Sequence, residues 1–216
     1  HELNEKLLEE IFKAVGWGPG HPLRMGLTPL FSTASLRFAR IAVGFDQDVA
    51  AHGFSEAARR LLPHFAGELQ VRGAESIPAE GPLLVVSNHP GTIDGLAIAS
   101  QLPRPDLKIV VAGVPFLRNL RASANYLIYS SLNVFERMNV VRSVIRHLEG
   151  GGAVLLFPSG GIDPDPAVMP GALEEVETWS PSLELILRRV PATRVLVTLV
   201  SGVLHPVWVY NPLTRL

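Results

Sequence analysis

The chain has 216 residues, no cysteine and a formal net charge of −1; charged residues make up 18% of it and hydrophobic residues 47%. Without cysteine there are no disulfides, no thiolate catalysis and no cysteine–zinc sites, and the balanced charge argues against nucleic acid as a partner. A mean hydropathy of +0.26 points to apolar surface that calls for a lipid or acyl partner.

Residues 2–15 carry Leu3, Leu7, Leu8, Ile11, Phe12 and Val15 at helical spacing, and a helix is expected there, closed by Gly16, Gly18, Pro19 and Gly20. The opening HELNEKLLEE has no secretory pattern. Residues 21–45 hold Arg24, Arg37 and Arg40 and no acid among many large apolar side chains. Pro22 and Pro29 predict two short helical pieces there, and the mixture suits a segment lying in a membrane interface. Another short helix is expected over 54–65, ending near Pro63.

From about residue 67 the texture changes to short apolar runs alternating with helical stretches. Strands are expected at Glu68–Arg72, Leu83–Ser87, Lys108–Ala112, Asn133–Phe135, Ala153–Phe157 and Val195–Val200. Helices are expected at Ile93–Gln101, Phe116–Ser130, Asn139–Glu149 and Ser182–Arg189. Buried strands separated by helices predict an α/β fold: a layered, mostly parallel sheet flanked by helices over residues 67–216, preceded by an N-terminal helical region over 1–66. The longest apolar stretch near the end, Val195 to Leu204, is far short of the ~20 residues a membrane span needs.

The stretch Leu83-Leu-Val-Val-Ser-Asn-His-Pro-Gly-Thr-Ile-Asp-Gly95 carries the most information. A buried strand ends at Ser87, His89 follows at its carboxyl end, and Thr92 is positioned to cap a helix with Asp94 in its first turn. Ligands of parallel α/β sheets bind beyond the carboxyl ends of the strands. With His89 in the turn and Asp94 on the helix, the two side chains can meet. The aspartate then fixes one ring nitrogen and leaves the other to take a proton from a hydroxyl. The same pattern also fits a turn histidine beside an aspartate that only complements the helix terminus.

Two further stretches join it. Asn133-Val-Phe-Glu-Arg-Met-Asn139 puts Arg137 at an expected strand end, where a guanidinium grips phosphate or pairs with Glu136 or Glu149. The loop Phe157-Pro158-Ser159-Gly160-Gly161 lets the backbone aim N–H groups at a phosphate or a developing oxyanion. It lacks the Gly-Lys-Ser/Thr of a P-loop, and Phe157 stands where a serine nucleophile elbow needs glycine. Asp163 and Asp165, separated by Pro164, read as turn residues rather than metal ligands.

Taken together, these stretches resemble the glycerophospholipid acyltransferase family, which includes glycerol-3-phosphate and lysophosphatidate acyltransferases. Asn88-His89-Pro-Gly-Thr-Ile-Asp94 matches its first block, Asn-His-x-x-x-x-Asp. Phe135-Glu136-Arg137 resembles the second, Phe157-Pro158-Ser159-Gly160-Gly161 the third, and Val203-Leu204-His205-Pro206 the fourth. The third block usually reads Phe-Pro-Glu-Gly-Thr, so Ser159 replaces a glutamate. Pro-Ser-Gly-Gly followed by Asp-Pro-Asp-Pro is similar to the soluble plastid glycerol-3-phosphate acyltransferases. Those have arginine where this chain has Ile162, so one arm of their phosphate clamp is missing.

The resemblance implies O-acyl transfer with His89 and Asp94 catalytic. The acyl donor is acyl-CoA or an acyl carrier protein, used as a co-substrate, with no other cofactor and no metal. The acceptor is a lysophospholipid or a polyol phosphate; Arg137, Ser159, Gly160 and Gly161 are the substrate-binding residues, Arg137 on the acceptor phosphate and backbone donors near Gly160 and Gly161 at the oxyanion. A cytoplasmic enzyme in peripheral contact with a membrane is expected. An acyl hydrolase and a non-catalytic lipid-binding domain are the alternatives.

Overall fold

The computed structural model describes residues 8, 9, 12, 18, 21–130, 134–172 and 174–211. Five strands form one all-parallel sheet: β1 (Leu83–Ser87), β2 (Leu107–Ala112), β3 (Leu127–Ser130), β4 (Ala153–Leu156) and β5 (Arg194–Thr198), in the order β3-β2-β4-β1-β5. β1 lies near the middle, between β4 and β5, and all five of its residues are buried. An unbroken apolar run is what a strand covered on both faces requires.

Helices cover both faces. On one side α1 (Pro22–His52), α2 (Phe54–Leu61) and α3 (Asp94–Gln101) bring Phe45, Val49, Phe54, Ala57, Ile98 and Leu102 against Leu83, Val85, Ile109 and Leu155. On the other, α4 (Val134–Glu149) and α5 (Ser182–Arg189) bring Val144, Leu148 and Ile186 against Leu84, Val86 and Val154. The two-residue alternation along β1 feeds one side chain to each core in turn. A short α6 (Pro206–Val209) follows β5.

Several expectations are corrected. Residues 21–45 are not two pieces: α1 runs continuously for 31 residues with Pro29 inside it. Pro22 sits at the first helical position, where no N–H is needed. Burial of Ser35, Ala39, Ala42, Phe45 and Val49, a stripe at helical spacing, outweighs the ~3 kcal/mol that an interior proline costs. The helix expected over 2–15 lies largely outside the described residues.

Glu68–Arg72 is not a strand. Leu69 and Val71 alternate with polar neighbours, yet both are exposed, and no strand among the described residues pairs with them. Phe116–Ser130 is not a helix. It folds as two 3₁₀ turns, Pro115–Asn119 and Ser123–Tyr126, and then β3. The strand expected at Asn133–Phe135 is replaced by the start of α4 at Val134; Asn133 itself lies outside the described residues. Thr92 does not cap α3. The cap position is Ile93, without a side-chain bond, and Asp94 takes nearby N–H groups itself.

α1 runs antiparallel to the strands. Near its end, Val49 and Ala50 line a cavity with Asp106, Leu107 and Lys108, at the amino end of β2. Half a helix earlier, Phe38 packs edge-on against Phe116, just beyond the carboxyl end of β2 (ring centroids 5.7 Å). The turns before Phe38 continue beyond that contact for ~24 Å of helix, at ~1.5 Å per residue. Among the described residues, no helix is long and apolar enough to cross a membrane.

Candidate active site

The backbone leaves β1 at Ser87 and turns through Asn88 to Gly91. The Asn88 side chain acts as one more rung of the sheet: its Nδ2 donates to Val200 O and its Oδ1 accepts from Val200 N, each at 2.8 Å. The end of β1 is thus tied to the chain just after β5, and the next residue, His89, is held in place.

Asp94 is completely buried. Its Oδ2 accepts from His89 Nδ1 at 2.9 Å and from Gly91 N at 3.0 Å, and its Oδ1 accepts from Gly95 N at 3.2 Å. A carboxylate holding three N–H groups keeps the proton on Nδ1 and leaves the lone pair on Nε2. The His89 side chain is 26% exposed. Its ring lies nearly parallel to Phe157, with centroids 4.2 Å apart. Gly91 is needed for close approach: a Cβ there would sit 2.6 Å from Val203 Cγ1.

The loop after β4 wraps this imidazole. Asp163 is buried; its Oδ2 accepts from His89 N at 2.7 Å, and its own N–H returns to His89 O at 2.9 Å. Asp165, also fully buried, accepts at Oδ1 from Ala167 N and Gly202 N (both 2.9 Å) and at Oδ2 from Leu204 N (2.8 Å). Burial alone would push the Asp165 carboxyl up, but the N–H groups of Leu204, Ala167, Gly202 and Val203 outweigh it and hold the carboxyl below the usual carboxylate range. Gly160 N donates to Phe157 O at 3.2 Å. The Ser159 hydroxyl is engaged within its own loop, with Gly161 N at 3.4 Å and Gly161 O at 3.3 Å.

The structure brings His89 and Asp94 into contact, with Phe157 and the loop of Ser159, Gly160 and Gly161 beside them. Arg137 falls in the first turn of α4 rather than at a strand end, and its side chain lies outside the described residues. Three contributors escape the sequence reading as site residues: Asn88, Asp163 and Asp165. Asp-Pro-Asp-Pro was visible as a turn signal, but nothing in it names His89 or Gly202 as partners. No group of three or more candidate metal ligands occurs among the described residues.

A family model described as Acyltransferase matches residues 68–180, just over half of the chain. The chain belongs to the glycerolipid acyltransferase family. Its Asn-His-x-x-x-x-Asp block and the loop from Phe157 to Gly161 both lie within the matched segment, and the α/β layering with a parallel sheet agrees with the fold expected from sequence. Membership makes this acyltransferase an enzyme of acyl-group transfer and implies an acyl donor and a lipid acceptor. No curated protein and no solved structure matches the chain.

Proposed function

We propose that this acyltransferase moves a fatty acyl group from acyl-CoA or an acyl carrier protein to a hydroxyl of a lysophospholipid or glycerol-phosphate-like acceptor. One observation carries the reading: an imidazole whose Nδ1 is fixed by a buried carboxylate and whose Nε2 is met by no hydrogen bond among the described residues, at the carboxyl end of a strand. His89 Nε2 takes the hydroxyl proton, the oxygen attacks the thioester carbonyl, and the imidazolium is stabilised by Asp94. The carbon–oxygen bond forms, the carbon–sulfur bond breaks, and the proton passes to the departing thiolate.

Gly161 N–H, engaged only by a long contact, is the donor freest to turn toward the oxyanion. Arg137, in the first turn of a helix that follows β3, holds the acceptor phosphate. The reaction needs no metal and no cofactor beyond the thioester co-substrate. The enzyme works from the cytoplasmic side as a peripheral membrane protein. In support, Leu36, Phe38 and Val43 are exposed on α1, and Thr33, Ala34, Arg37, Phe38 and Ile41 line an open apolar depression. Arg24 is not part of that surface, since it pairs with Glu9 and lies over the Phe12 ring.

The test is a panel of hydroxyl acceptors incubated with labelled acyl-CoA and read by mass spectrometry. An acylated lysophospholipid or glycerol phosphate is the expected product. Release of free fatty acid at the same rate with and without acceptor would make the protein a hydrolase instead.

A further inference from the structure

Arg118 has no role in the chemistry above, yet its surroundings are arranged. It lies in the 3₁₀ turn after β2, at the same end of the sheet as His89. Its guanidinium carbon sits over the Tyr129 ring, 4.3 Å from the ring centroid, and Tyr129 is itself anchored by donating its hydroxyl to Leu117 O at 3.3 Å. The residue is exposed, and no carboxylate among the described residues pairs with it. Residues 107–135 contain Lys108, Arg118 and Arg121 and not one acid. A guanidinium held over an aromatic ring with no carboxylate partner has N–H groups left for an anion and loses little freedom in binding one.

The neighbouring backbone leaves that guanidinium uncovered. Gly113 lies beside it, and a Cβ at that position would fall 2.8 Å from Ser130 O and 3.8 Å from Arg118 Nη2. Ala112 and Gly113 are both exposed, so the surface over the end of β2 is open.

Position decides which anion. Tyr129 pairs in register with Val111, which packs on the core under α1, α2 and α3. Phe157, the ring on which His89 stacks, packs on that same core. Arg118 and His89 therefore share one face of the sheet. In the order β3-β2-β4-β1-β5, β2 is two strands from β1 and β3 is three. At ~4.8 Å per strand that is roughly 10–14 Å. The phosphate of a glycerol phosphate is four bonds from the neighbouring hydroxyl, only about 5 Å away. The phosphate at the end of a pantetheine arm is about thirteen bonds from the thioester sulfur, roughly 15 Å when extended.

From this geometry we infer that Arg118, held on Tyr129, binds the phosphate that ends the pantetheine arm of the thioester donor. The inference rests on the thioester reading of the previous subsection. Coenzyme A and an acyl carrier protein both carry that phosphate, so the contact serves either source.

The test compares acyl thioesters of 4′-phosphopantetheine and of pantetheine, which differ only in the phosphate. The wild-type enzyme should prefer the phosphorylated donor in kcat/KM. Arg118→Ala should cut that preference by about tenfold, the value of one charge-assisted contact, and Arg118→Lys should restore part of it. A preference that survives in Arg118→Ala overturns the inference, as does an equal loss with both donors. Acyl-CoA and acyl carrier protein form two further arms. A loss with both supports the shared phosphate, and a loss confined to one assigns Arg118 to the nucleotide or to the carrier's surface and overturns it. Calorimetric binding of 4′-phosphopantetheine against pantetheine, in wild type and Arg118→Ala, reads the contact without turnover. Selective binding by a protein that turns over no thioester would keep this site and sink the transfer reading instead.

Discussion

The two ends of the sheet are braced by opposite chemistry. At the carboxyl end, three buried carboxylates gather backbone N–H groups: Asp94 from Gly91 and Gly95, Asp163 from His89, and Asp165 from Ala167, Gly202 and Leu204. At the amino end one arginine gathers carbonyls. Arg104, 3% exposed, donates to Pro78 O, Gly81 O and Gly151 O and grips Asp106 through two bonds of 2.8 and 2.7 Å. The pairing holds both partners in their charged forms: the bond to Asp106 raises the guanidinium, and the bond to Arg104 lowers the carboxyl. The Arg104 guanidinium is buried with its N–H groups engaged, whereas the acidic end leaves one imidazole edge open. The first end is a structural brace, and on the proposed mechanism the second positions a proton acceptor.

The strongest way to break this division is at His89. His89→Ala should lower turnover by ~10²–10⁴, the usual contribution of a positioned acid–base group, in a protein that still folds. Asp94→Asn should also be severe, since an amide cannot stabilise imidazolium in the same way. Near-normal acyl transfer by a folded His89→Ala protein would end the mechanism.

Arg104→Ala tests the other end. Three carbonyls lose donors worth about 1 kcal/mol each, so chemical denaturation should show a loss of about 3 kcal/mol. Turnover per folded molecule should stay within about twofold. A variant equally stable but slow would erase the contrast between the two ends.

Asp165→Asn sharpens it, because this carboxylate is both a brace and a neighbour of the site. An amide offers one oxygen to N–H groups that approach both ends of the carboxylate, so about 2 kcal/mol should be lost. The pH dependence has a definite sign. The folded carboxyl lies below its unfolded value, so its stabilisation is complete above the ordinary carboxylate pKa of ~4 and is lost as pH falls through the folded value. Wild-type melting temperature should drop below that pH more steeply than that of Asp165→Asn.

The smallest effect is expected on α1, which touches both ends. Leu36→Ser with Phe38→Ser should weaken co-sedimentation with anionic vesicles by about tenfold, as buried apolar area is lost. Unchanged binding by the folded variant would remove α1 from the membrane contact.

Sequence made the carboxyl end of the sheet legible where the signal was local. β1 shows as an uninterrupted apolar run closed by Asn88, and His89 and Asp94 lie within one turn and the start of one helix. It failed where the signal was periodic but unpartnered. Leu69 and Val71 mimic a half-buried strand, yet period two says nothing about whether a neighbouring strand is there to pair. Leu117, Leu120, Ala124 and Leu127 suggest a helix, but Tyr129 pairs in register with Val111, and strand pairing overrode the local pattern. Asp163 and Asp165 were readable as turn formers, while their actual partners lie up to 74 residues away in the chain.

The link between Asn88 and Val200 also governs the order in which the protein can become competent. β1 pairs with β4 and β5, each long after it in the chain, so its two neighbours are among the last strands to leave the ribosome. A nascent chain emerging from the amino terminus has β1 in hand without either neighbour. The loop that carries His89 gains its tie through Asn88 only when Val200 arrives, and the Asp165 loop beside it is tied only when Gly202 and Leu204 follow. Such distant pairings belong to slow-folding topologies, and here they imply that the imidazole is set in place at the end of folding rather than at its start.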